Sequence, residues 1–388
     1  MNDANSELEL FRDTVKRFLK EKVEPHYEKW EKDGITPRQL WRDMGDAGLL
    51  CVDAPAEYGG IGAPFEFSCV VLEEVGRLGM GALAANLAVH SDIVTPYIAH
   101  LGSEAQKKKY IPKLVTGECV GAIAMTEPGA GSDLQGIKTT AVAEPGSESG
   151  PGGAQFVING SKTFITNGQH ADVVITFAKT DPKAGARGTT LFLVDATAKG
   201  FTRGRNLDKI GQHCGDTSEL FYADVRVPAS AILGRQGNGF GHLVDELPRE
   251  RLTLALSAVG ACDGMLAMTV DYVRNRKAFG QAVGAFQHTR FRLAEMKTEL
   301  EVHRAFVQHC ARLYAQKKLD VPTAAMVKLA ATEMQFRIAD GCLQLFGGYG
   351  YMTEYPISRH FADARVQRIY GGTSEIMKEV IARAVVGR

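Results

Sequence analysis

The stretch Leu247-Pro248-Arg249-Glu250-Arg251-Leu252 is the point from which we read the fold of this chain. Proline is favoured in the first turn of a helix, where its missing N–H leaves no intrahelical bond unmade, and an acid there interacts favourably with the helix dipole. We therefore expect a helix to begin here, and we consider Glu250 a candidate for proton chemistry. On this stretch alone, an acid that merely stabilises a helix N-terminus is the simpler explanation.

Apolar residues continue downstream with the three- and four-residue spacing of one helix face. They are Leu252, Leu256, Val259, Cys262, Leu266, Val270 and Val273. A second line of smaller or softer side chains follows from Glu250 itself, namely Leu254, Ala258, Ala261 and Met265. The two lines predict a helix that is buried on two sides and carries a carboxylate at one end.

The periodicity changes twice along the chain, which predicts an α+β fold of three domains. Residues 1–119 have helical spacing and form an N-terminal helical domain. Residues 120–232 contain short β-branched and aromatic runs and form a middle, β-barrel-like domain. Residues 233–388 return to long helices and form a C-terminal four-helix bundle. The segment 144–153, rich in Gly, Ser and Pro, is expected to be an exposed loop between strands.

The boundaries of the main elements follow from the same patterns. We expect strands at residues 155–158, 172–177, 190–194 and 219–225. We expect helices from about residue 286 to 314 and from about residue 322 to the Gly347-Gly348 pair, since glycine commonly ends a helix.

Composition limits the classes of partner. The 388 residues include 45 Lys plus Arg and 45 Asp plus Glu, so no net charge favours nucleic acid or an anionic membrane surface. The seven cysteines form no C-x-x-C pair, so we expect reduced core residues. We find no run of eighteen apolar residues and no basic or Arg-rich presequence, and we therefore expect no membrane span and a cytoplasmic, bacterial-type location.

Several familiar ligand motifs fail when their spacing is checked. Gly129-Ala130-Gly131 is followed by Leu134 where a dinucleotide fingerprint requires a third glycine, and Gly237-Asn238-Gly239 is followed there by His242. Residues 160–163 (GSKT) lack the glycine spacing of a phosphate loop. The ten histidines form no cluster with metal-ligand spacing, so we expect no metal site.

Five polar, glycine-bearing segments remain. They are residues 124–133 (AMTEPGAGSD), 159–168 (NGSKTFITNG), 274–280 (RNRKAFG) together with Gln287, 344–350 (QLFGGYG) and 369–375 (IYGGTSE). In this order, and over essentially the whole chain, they resemble the acyl-CoA dehydrogenase family. The resemblance implies an FAD enzyme that removes an α-proton and a β-hydride from an acyl-CoA thioester to give a trans-2-enoyl-CoA. It also implies a role in fatty acid β-oxidation, electron-transferring flavoprotein as acceptor, and a homotetramer built as a dimer of dimers.

The resemblance assigns cofactor positions residue by residue. Those that match the lining of the flavin ring are Met125, Thr126, Phe164 and Thr166. Those that match the FAD pyrophosphate and adenosine sites, in part across a subunit boundary, are Arg276, Phe279, Gln287, Gln344, Gly347 and Gly348. Thr373 and Glu375 match the last flavin contacts. Two alternatives stay open, since Phe164 is also explained as a core residue and Glu375 as a helix-start acid.

One departure from the family pattern decides the base. Many members carry the catalytic glutamate directly after the tyrosine of the I-Y-x-G-T segment, where this chain has Gly371. Long-chain and isovaleryl-type members place it instead on the helix near Glu250. The resemblance therefore assigns the base to Glu250, with Gly371 clearing volume for its carboxylate, and the chain looks closest to the long-chain subgroup.

The substrate side follows in the same way. Ser132 matches a position near the pyrophosphate–pantetheine arm of CoA, and Tyr370, Gly371 and Arg251 match the thioester end, where the N–H of residue 371 faces the carbonyl oxygen. A surface or dimer salt bridge is the alternative for Arg251. Residues 88–98 are expected to border the far end of the acyl pocket, which favours a long or branched chain of undetermined length.

Two rival functions remain open on the sequence. An acyl-CoA oxidase passes its electrons to oxygen, and a flavoprotein without catalysis serves as an assembly partner. The glycine at 371 is the one feature that favours the second.

Overall fold

The N-terminal part of the protein is helical, as expected. The structure is a computed structural model that describes residues 2–144 and 154–387, so all of the expected loop at 144–153 except Glu144 lies outside the described residues. The helices are α1 (Asn2–Phe18), α2 (Glu24–Asp33), α3 (Arg38–Asp46), α4 (Phe65–Arg77), α5 (Gly81–Leu87), α6 (Thr95–Leu101) and α7 (Glu104–Val115).

A π-helical stretch, Ala88–Val94, joins α5 to α6 without a break. Such stretches are uncommon and frequently lie beside functional sites. Within it, His90 is fully buried, and its Nε2 lies 2.9 Å from the carbonyl oxygen of Leu114 on α7. The other ring nitrogen, Nδ1, lies 3.2 Å from the backbone nitrogen of Gly121, the first residue of the middle domain's first strand. His90 therefore fixes the position of α6 against the neighbouring domain.

In the middle part of the chain, the described residues form a sheet of eight strands. They are β1 (Gly121–Ala124), β2 (Thr140–Ala143), β3 (Gln155–Thr166), β4 (Val173–Lys179), β5 (Thr189–Asp195), β6 (Phe201–Asn206), β7 (Thr217–Pro228) and β8 (Ile232–Leu233). The order is β6-β7-β3-β2-β4-β5-β8, with β1 pairing in parallel with β4. The sequence predicted a barrel-like domain. In the structure β6 and β8 lie at the two ends of the strand order, and among the described residues they do not pair with each other.

The C-terminal part is again helical. It comprises α8 (Gly239–Asn275), α9 (Gln287–Ala315), α10 (Val321–Phe346), α11 (Pro356–Val366) and α12 (Ser374–Val386), with a small hairpin of β9 (Lys277–Ala278) and β10 (Gln281–Ala282) between α8 and α9. The bounds of α9 and α10 agree with the sequence to within a residue or two. Helix α11 is an addition to the four helices expected.

The start of α8 corrects the prediction. The helix begins at Gly239, and Pro248 lies inside it rather than in its first turn. Proline within a helix leaves the carbonyl four residues earlier without its usual N–H donor, but a helix supported by tertiary packing tolerates this. Glu250 is therefore about three turns from the helix N-terminus, and stabilisation of that terminus no longer accounts for it.

Helix α8 is the centre of the molecule, because it packs against α4 of the N-terminal domain and α10 of the bundle. The α4–α8 crossing is close at two glycines. A Cβ atom at Gly260 would lie 2.2 Å from the carbonyl oxygen of Glu73, and one at Gly264 would lie 1.8 Å from that of Arg77. By length and hydropathy alone α8 could cross a membrane, which the sequence had not suggested, but 72% of its most apolar window is buried within the protein.

Candidate active site

Glu250 lies in the interior, at the junction of the N-terminal domain and the bundle. Its side chain is 5% exposed, and its Oε1 accepts a hydrogen bond of 2.8 Å from the hydroxyl of Tyr97 on α6. Burial raises the pKa of the carboxyl to about 7, because a charge is costly to hold away from water. The hydrogen bond from Tyr97 and the charge of Arg251 lower it, and the charge of Glu246 raises it. Glu250 thus has the basicity of a proton acceptor that works near neutral pH.

Arg249 anchors this part of α8 to the N-terminal domain. Its guanidinium is buried and donates to Asp53 Oδ2 at 2.5 Å and to Asp92 Oδ1 at 2.8 Å. Asp92 belongs to the π-helical stretch that leads into α6. A buried ion pair therefore joins α8, which carries Glu250, to the stretch that leads directly into the helix of Tyr97.

Arg251 is buried beside the base. Its side chain is 3% exposed and makes no ion pair in the part of the chain that the structure describes, so the alternative of a surface salt bridge is wrong. A salt bridge across a dimer stays an alternative for Arg251. Its Nε and Nη1 are buried without a hydrogen-bond partner. Buried polar atoms are normally satisfied, so these two donors mark a position where water or a ligand group belongs.

The loop at residues 370–372 is held close to α8 and α10. Gly371 has a φ of +63° and Gly372 a φ of +92°, in the left-handed region that glycine adopts without strain. The buried ammonium of Lys328 on α10 donates to the carbonyl of Gly372 at 2.7 Å, and burial, followed by the charge of Arg251, lowers the pKa of Lys328 to about 8. Tyr370 accepts a long hydrogen bond of 3.4 Å from Gln212.

The glycine at 371 makes room for a different neighbour than expected. A Cβ atom there would lie 2.6 Å from Cδ1 of Leu254, one turn beyond Glu250 on the same helix. The nearest obstruction is thus the Leu254 side chain and not the Glu250 carboxylate. A side chain at 371 would clash with Leu254 on the helix that carries the base. The glycine therefore still allows α8, and with it Glu250, to pack at this position.

The predicted flavin-ring positions lie on two segments that pack against each other, β3 and the loop after β1. The backbone N–H of Thr163 donates to the carbonyl of Thr126 at 2.9 Å, which brings the loop after β1 against β3. The fully buried ammonium of Lys162 donates to the carbonyl of Met125 and to Glu127 Oε1, both at 3.0 Å. This buried ion pair fixes Met125 and Thr126 beside β3, which also carries Phe164 and Thr166.

Phe164 is not a core residue. Its side chain is 66% exposed, and its backbone has a φ of +59°, which is unusual for a bulky residue. Strain of this kind persists where the surroundings impose it, and it often lies at ligand sites. The alternative that placed Phe164 in the core is therefore wrong, whereas an aromatic ring held on the open face of β3 suits a planar ligand.

A separate open cavity of about 590 Å³ collects four of the predicted FAD residues. Arg276, Gln344, Gly347 and Gly348 line it together with Tyr272, Val283, Leu345, Phe346, Tyr349 and Met352. A Cβ atom at Gly347 or Gly348 would meet nothing within 4 Å, so a ligand can approach the backbone closely there, although the N–H of Gly347 already donates to the carbonyl of Gln344. The Arg276 cation suits a pyrophosphate, and the aromatic side chains of Tyr272, Phe346 and Tyr349 suit an adenosine. The residues present fit the group that the resemblance implies.

The remaining predicted positions lie at the surface. Phe279 is 95% exposed with a φ of +51°, and Gln287 is the exposed first residue of α9. Ser132 is exposed in the loop after β1. Thr373 is the N-cap of α12, where its hydroxyl accepts from the N–H of Ile376 at 3.3 Å, and Glu375 is exposed in the first turn. The helix-start explanation of Glu375 thus accounts for its observed surroundings.

The structure gathers the predicted residues into three groups. Glu250, Arg251 and the 370–372 loop lie around α8. The flavin-ring positions lie on β3 and in the loop after β1, and Arg276, Gln344, Gly347 and Gly348 line the open cavity. No hydrogen bond or ion pair within the described ranges joins that cavity to Glu250. In the same ranges no group of three or more His, Cys, Asp or Glu side chains is placed to hold a metal ion.

Three supporting residues were missed on the sequence. The sequence placed Tyr97 only in the border of the acyl pocket, and Lys162 only in a failed phosphate-loop match and in the 159–168 segment, with no role of its own. Lys328 interrupts the apolar run of residues 324–331 on α10. Lysine is usually a surface residue, yet this one is fully buried. A lysine within an apolar run could have predicted the burial of Lys328. No local sequence pattern predicts that Tyr97 contacts Glu250.

Three family models match the chain, one after the other. They are the acyl-CoA dehydrogenase N-terminal domain at residues 5–118, the middle domain at residues 122–225 and the C-terminal domain at residues 237–386. Among curated relatives, the mitochondrial long-chain specific acyl-CoA dehydrogenase of Sus scrofa is 49% identical over 384 residues, covering 98% of this chain and 87% of the relative. The mitochondrial isovaleryl-CoA dehydrogenase of Arabidopsis thaliana is 38% identical over 375 residues, covering 96% and 90%.

Solved structures agree with the sequence relatives. An acyl-CoA dehydrogenase from Geobacillus kaustophilus is 47% identical with a TM-score of 0.93, covering 98% of both chains. A chain from a structure of the electron transferring flavoprotein of Acidaminococcus fermentans is 34% identical with a TM-score of 0.93, covering 98% of both chains. A Mycobacterium smegmatis glutaryl-CoA dehydrogenase in complex with FADH2 is 29% identical with a TM-score of 0.90, covering 98% of this chain and 95% of that one.

Proposed function

This chain belongs to the acyl-CoA dehydrogenase family, and from that premise we propose that Glu250 is the base that removes the α-proton of a long-chain or branched acyl-CoA thioester. As a member of the family the protein is an FAD-dependent oxidoreductase that dehydrogenates acyl-CoA. The single observation that carries the proposal is the buried carboxylate of Glu250, whose pKa is raised to about 7, on a helix that packs where residue 371 has no side chain.

The charge distribution around Glu250 suits proton removal next to a thioester. An α-proton is too weakly acidic for a carboxylate in water, so the site must stabilise the negative charge that develops on the carbonyl oxygen. The buried cations Arg251 and Lys328 bring positive charge to this region, and Lys328 holds the Gly372 carbonyl. That contact fixes the loop whose residue-371 N–H, by resemblance, donates to the carbonyl oxygen. FAD, when bound, accepts the hydride from the β-carbon.

The cofactor positions extend the proposal. The two segments that carry Met125, Thr126, Phe164 and Thr166 would hold the flavin ring, and the cavity that contains Arg276, Gln344, Gly347 and Gly348 would hold the pyrophosphate and adenosine. Phe279, Gln287, Thr373 and Glu375 complete the proposed FAD contacts, and Ser132, Tyr370 and Gly371 the proposed acyl-CoA contacts. In a single chain Ser132, Phe279, Gln287 and Glu375 are exposed, which supports completion of the site by a neighbouring subunit of a homotetramer.

The substrate and acceptor rest on the relatives. The relative from Sus scrofa is named for long-chain acyl-CoA and the one from Arabidopsis thaliana for isovaleryl-CoA, so the proposal names a long or branched chain. Electron-transferring flavoprotein is the proposed acceptor, supported by the Acidaminococcus fermentans neighbour.

An anaerobic titration tests the base and ranks the substrates in one experiment. Purified protein with bound FAD is mixed with straight and branched acyl-CoAs, and loss of the oxidised flavin absorbance is followed in the wild type and in Glu250→Gln. We expect the wild type to bleach most readily with long or branched chains, and the variant to retain FAD without bleaching, because an amide cannot accept the proton.

Glu246→Gln is the matched control. Glu246 lies one turn earlier on α8, and its carboxylate lies 2.8 Å from His100 rather than at the base. Because the charge of Glu246 raises the pKa of Glu250, the comparison is made at alkaline pH, where Glu250 is ionised in both proteins and this variant is expected to bleach like the wild type. Bleaching of Glu250→Gln at the wild-type rate would move the base elsewhere, and oxygen consumption without added acceptor at the rate of turnover would identify an oxidase instead.

A further inference from the structure

The contact between Tyr97 and Glu250 joins two domains at the base itself. The two residues are 153 positions apart in the chain, and both side chains are buried, with Tyr97 fully so. Within the described residues, Tyr97 is the one hydrogen-bond donor to the Glu250 carboxylate. The other oxygen, Oε2, accepts no hydrogen bond there and is not among the fully enclosed unpartnered atoms.

Resting on the proposed role of Glu250 as the base, we propose that Tyr97 is a positioning residue for it: the phenol holds one carboxylate oxygen and leaves the other to take the α-proton. A glutamate side chain has three rotatable bonds, and the orientation of a base must be fixed before the substrate arrives if proton transfer is to be efficient. A short hydrogen bond from a rigid, buried ring supplies that orientation.

The placement of Tyr97 is itself fixed by its helix. At the end of the π-helical stretch, the hydroxyl of Thr95 donates to the carbonyl of His90 at 2.9 Å, and His90 is held between α7 and β1. On the other side, Arg249 joins Asp92 of the same stretch to α8. Both partners of the Tyr97–Glu250 bond are thus anchored independently of the bond.

Tyr97 acts as a permanent donor. Burial, and then the charge of Glu250, raises the pKa of the phenol well above its usual value. The proton between the two groups therefore stays on the tyrosine, and the carboxylate accepts without being protonated by its partner. A hydrogen bond to the ionised form stabilises that form, so the bond also keeps Glu250 ionised to lower pH than burial alone would allow.

The other charged groups near Glu250 lie on identified elements. Arg251 and Glu246 belong to α8 itself, and they act on the pKa of Glu250 in opposite directions. Lys328 on α10 faces Arg251, and Arg249 on α8 is neutralised by Asp53 and Asp92. None of these groups changes when only the Tyr97 hydroxyl is removed, so the effect of the hydroxyl is separable.

Tyr97→Phe removes one oxygen atom and keeps the ring. The expected result is that the acidic limb of kcat/KM, set by ionisation of the free base, moves to higher pH by about one to two pH units, since a hydrogen bond to a charged group contributes that much. At a fixed pH on the acidic side, kcat/KM of the variant is then about ten- to hundredfold below that of the wild type, whereas above the limb KM stays at the wild-type value. Flavin content and melting temperature are measured on the same preparation.

Tyr222→Phe is the matched control. Tyr222 is buried in the sheet, and its hydroxyl lies 2.9 Å from that of Thr176, away from α8. This variant also loses one buried phenol hydrogen bond, and its pH profile is expected to superimpose on the wild type. Three results for Tyr97→Phe would overturn the proposal. The acidic limb could coincide with that of the wild type, it could move to lower pH, or the activity could fall by the same factor at every pH.

A second substitution covers the case in which Tyr97→Phe does not fold. Incorporation of 3-fluorotyrosine at position 97 alone makes the phenol a stronger donor and should move the limb to lower pH, whereas the same replacement at position 222 should not. An unmoved limb with fluorotyrosine at 97 overturns the proposal. Failure of the wild type to bleach with any acyl-CoA would instead overturn the proposed function, so the two failures are distinguishable.

Discussion

At the scale of single residues, one desolvated carboxylate supports the proposed chemistry and also opposes folding. Burial raises the pKa of Glu250 to about 7 from the ordinary 4.5, which makes it a stronger base. The same change in pKa means that the folded state binds the proton more tightly than the unfolded state does. Glu250 therefore favours folding most below its unfolded pKa, and this benefit is lost as the pH rises through about 7.

Glu250→Gln should consequently be more stable than the wild type in the alkaline range. The amide does not ionise, so the difference in free energy of unfolding is expected to grow between about pH 5 and pH 8 and to reach on the order of 3 kcal/mol. Melting temperatures of both proteins with FAD bound, measured at several pH values and one scan rate, check this. A difference that stays the same at all pH values would mean that Glu250 is not desolvated.

Glu250 was found in the sequence because a glutamate is missing elsewhere. Gly371 stood where the resemblance expected a glutamate, and that departure directed attention to Glu250. The burial of Glu250 could not be predicted from the sequence, because the proline two positions before it indicated a helix N-terminus. Likewise the exposure of Phe164 depends on a backbone with positive φ, which no local pattern of side chains predicts for a phenylalanine.

At the scale of elements, helix α8 holds the site together because it packs on both sides. The α4–α8 crossing has backbone against backbone at Gly264, and α10 covers another face and supplies Lys328. Any widening of the α4 crossing would shift α8 and Glu250 relative to the N-terminal domain that carries Tyr97.

Gly264→Ala should therefore destabilise the protein. The added Cβ would lie 1.8 Å from the carbonyl oxygen of Arg77, which is main chain and has no side-chain freedom to move away. Overpacking of this kind typically costs about 1–3 kcal/mol. Gly129→Ala is the control, since a Cβ there meets nothing within 4 Å. Melting temperatures of the two variants should differ clearly, and equal values would contradict the close crossing.

The elements themselves were mostly predictable. The bounds of α9 and α10 followed from apolar spacing, because long buried helices repeat their pattern over several turns. The first turns of α8 were missed because residues 239–248 contain two glycines and a proline, which have poor helix propensity. Tertiary contacts override that propensity, since Leu243 is buried and Glu246 pairs with His100.

At the scale of the whole molecule, a single chain leaves part of the proposed FAD site open. Arg276 is exposed and lines an open cavity, and Phe279 and Gln287 are exposed shortly after it in the chain. The Phe279 side chain is 95% exposed in the single chain, and a neighbouring subunit that packed there would cover it. The arrangement supports assembly into the proposed homotetramer.

Arg276→Ala should weaken flavin binding without unfolding the protein. Loss of a charged contact to a pyrophosphate is expected to raise the dissociation constant of FAD about tenfold or more. Arg274→Ala is the matched control, because Arg274 is an exposed arginine two positions away that does not line the cavity. Flavin content after dialysis and mass by light scattering are measured for both, with the wild type expected at four times 42.0 kDa. Equal flavin loss in both variants would remove Arg276 from the site.

The three-part architecture was predictable from the sequence, whereas the contacts between the parts were not. Changes of periodicity separate helical from strand segments, so the order of domains can be read locally. The approach of Tyr97 to Glu250 depends on how α6 and α8 meet in three dimensions, which local spacing does not encode. The same is true of the cavity that collects residues from α8, α10 and the chain that follows each.

The pH dependence of flavin reduction in a single turnover tests the central claim most directly. Wild-type protein is mixed anaerobically with a saturating acyl-CoA in a stopped-flow instrument from about pH 5 to pH 9, and the bleaching rate is recorded beside that of Glu250→Gln. The proposal predicts a wild-type rate that rises through one ionisation and a variant that does not bleach at any pH. A Glu250→Gln protein that bleaches with the same pH dependence would show that the proton is taken by another group.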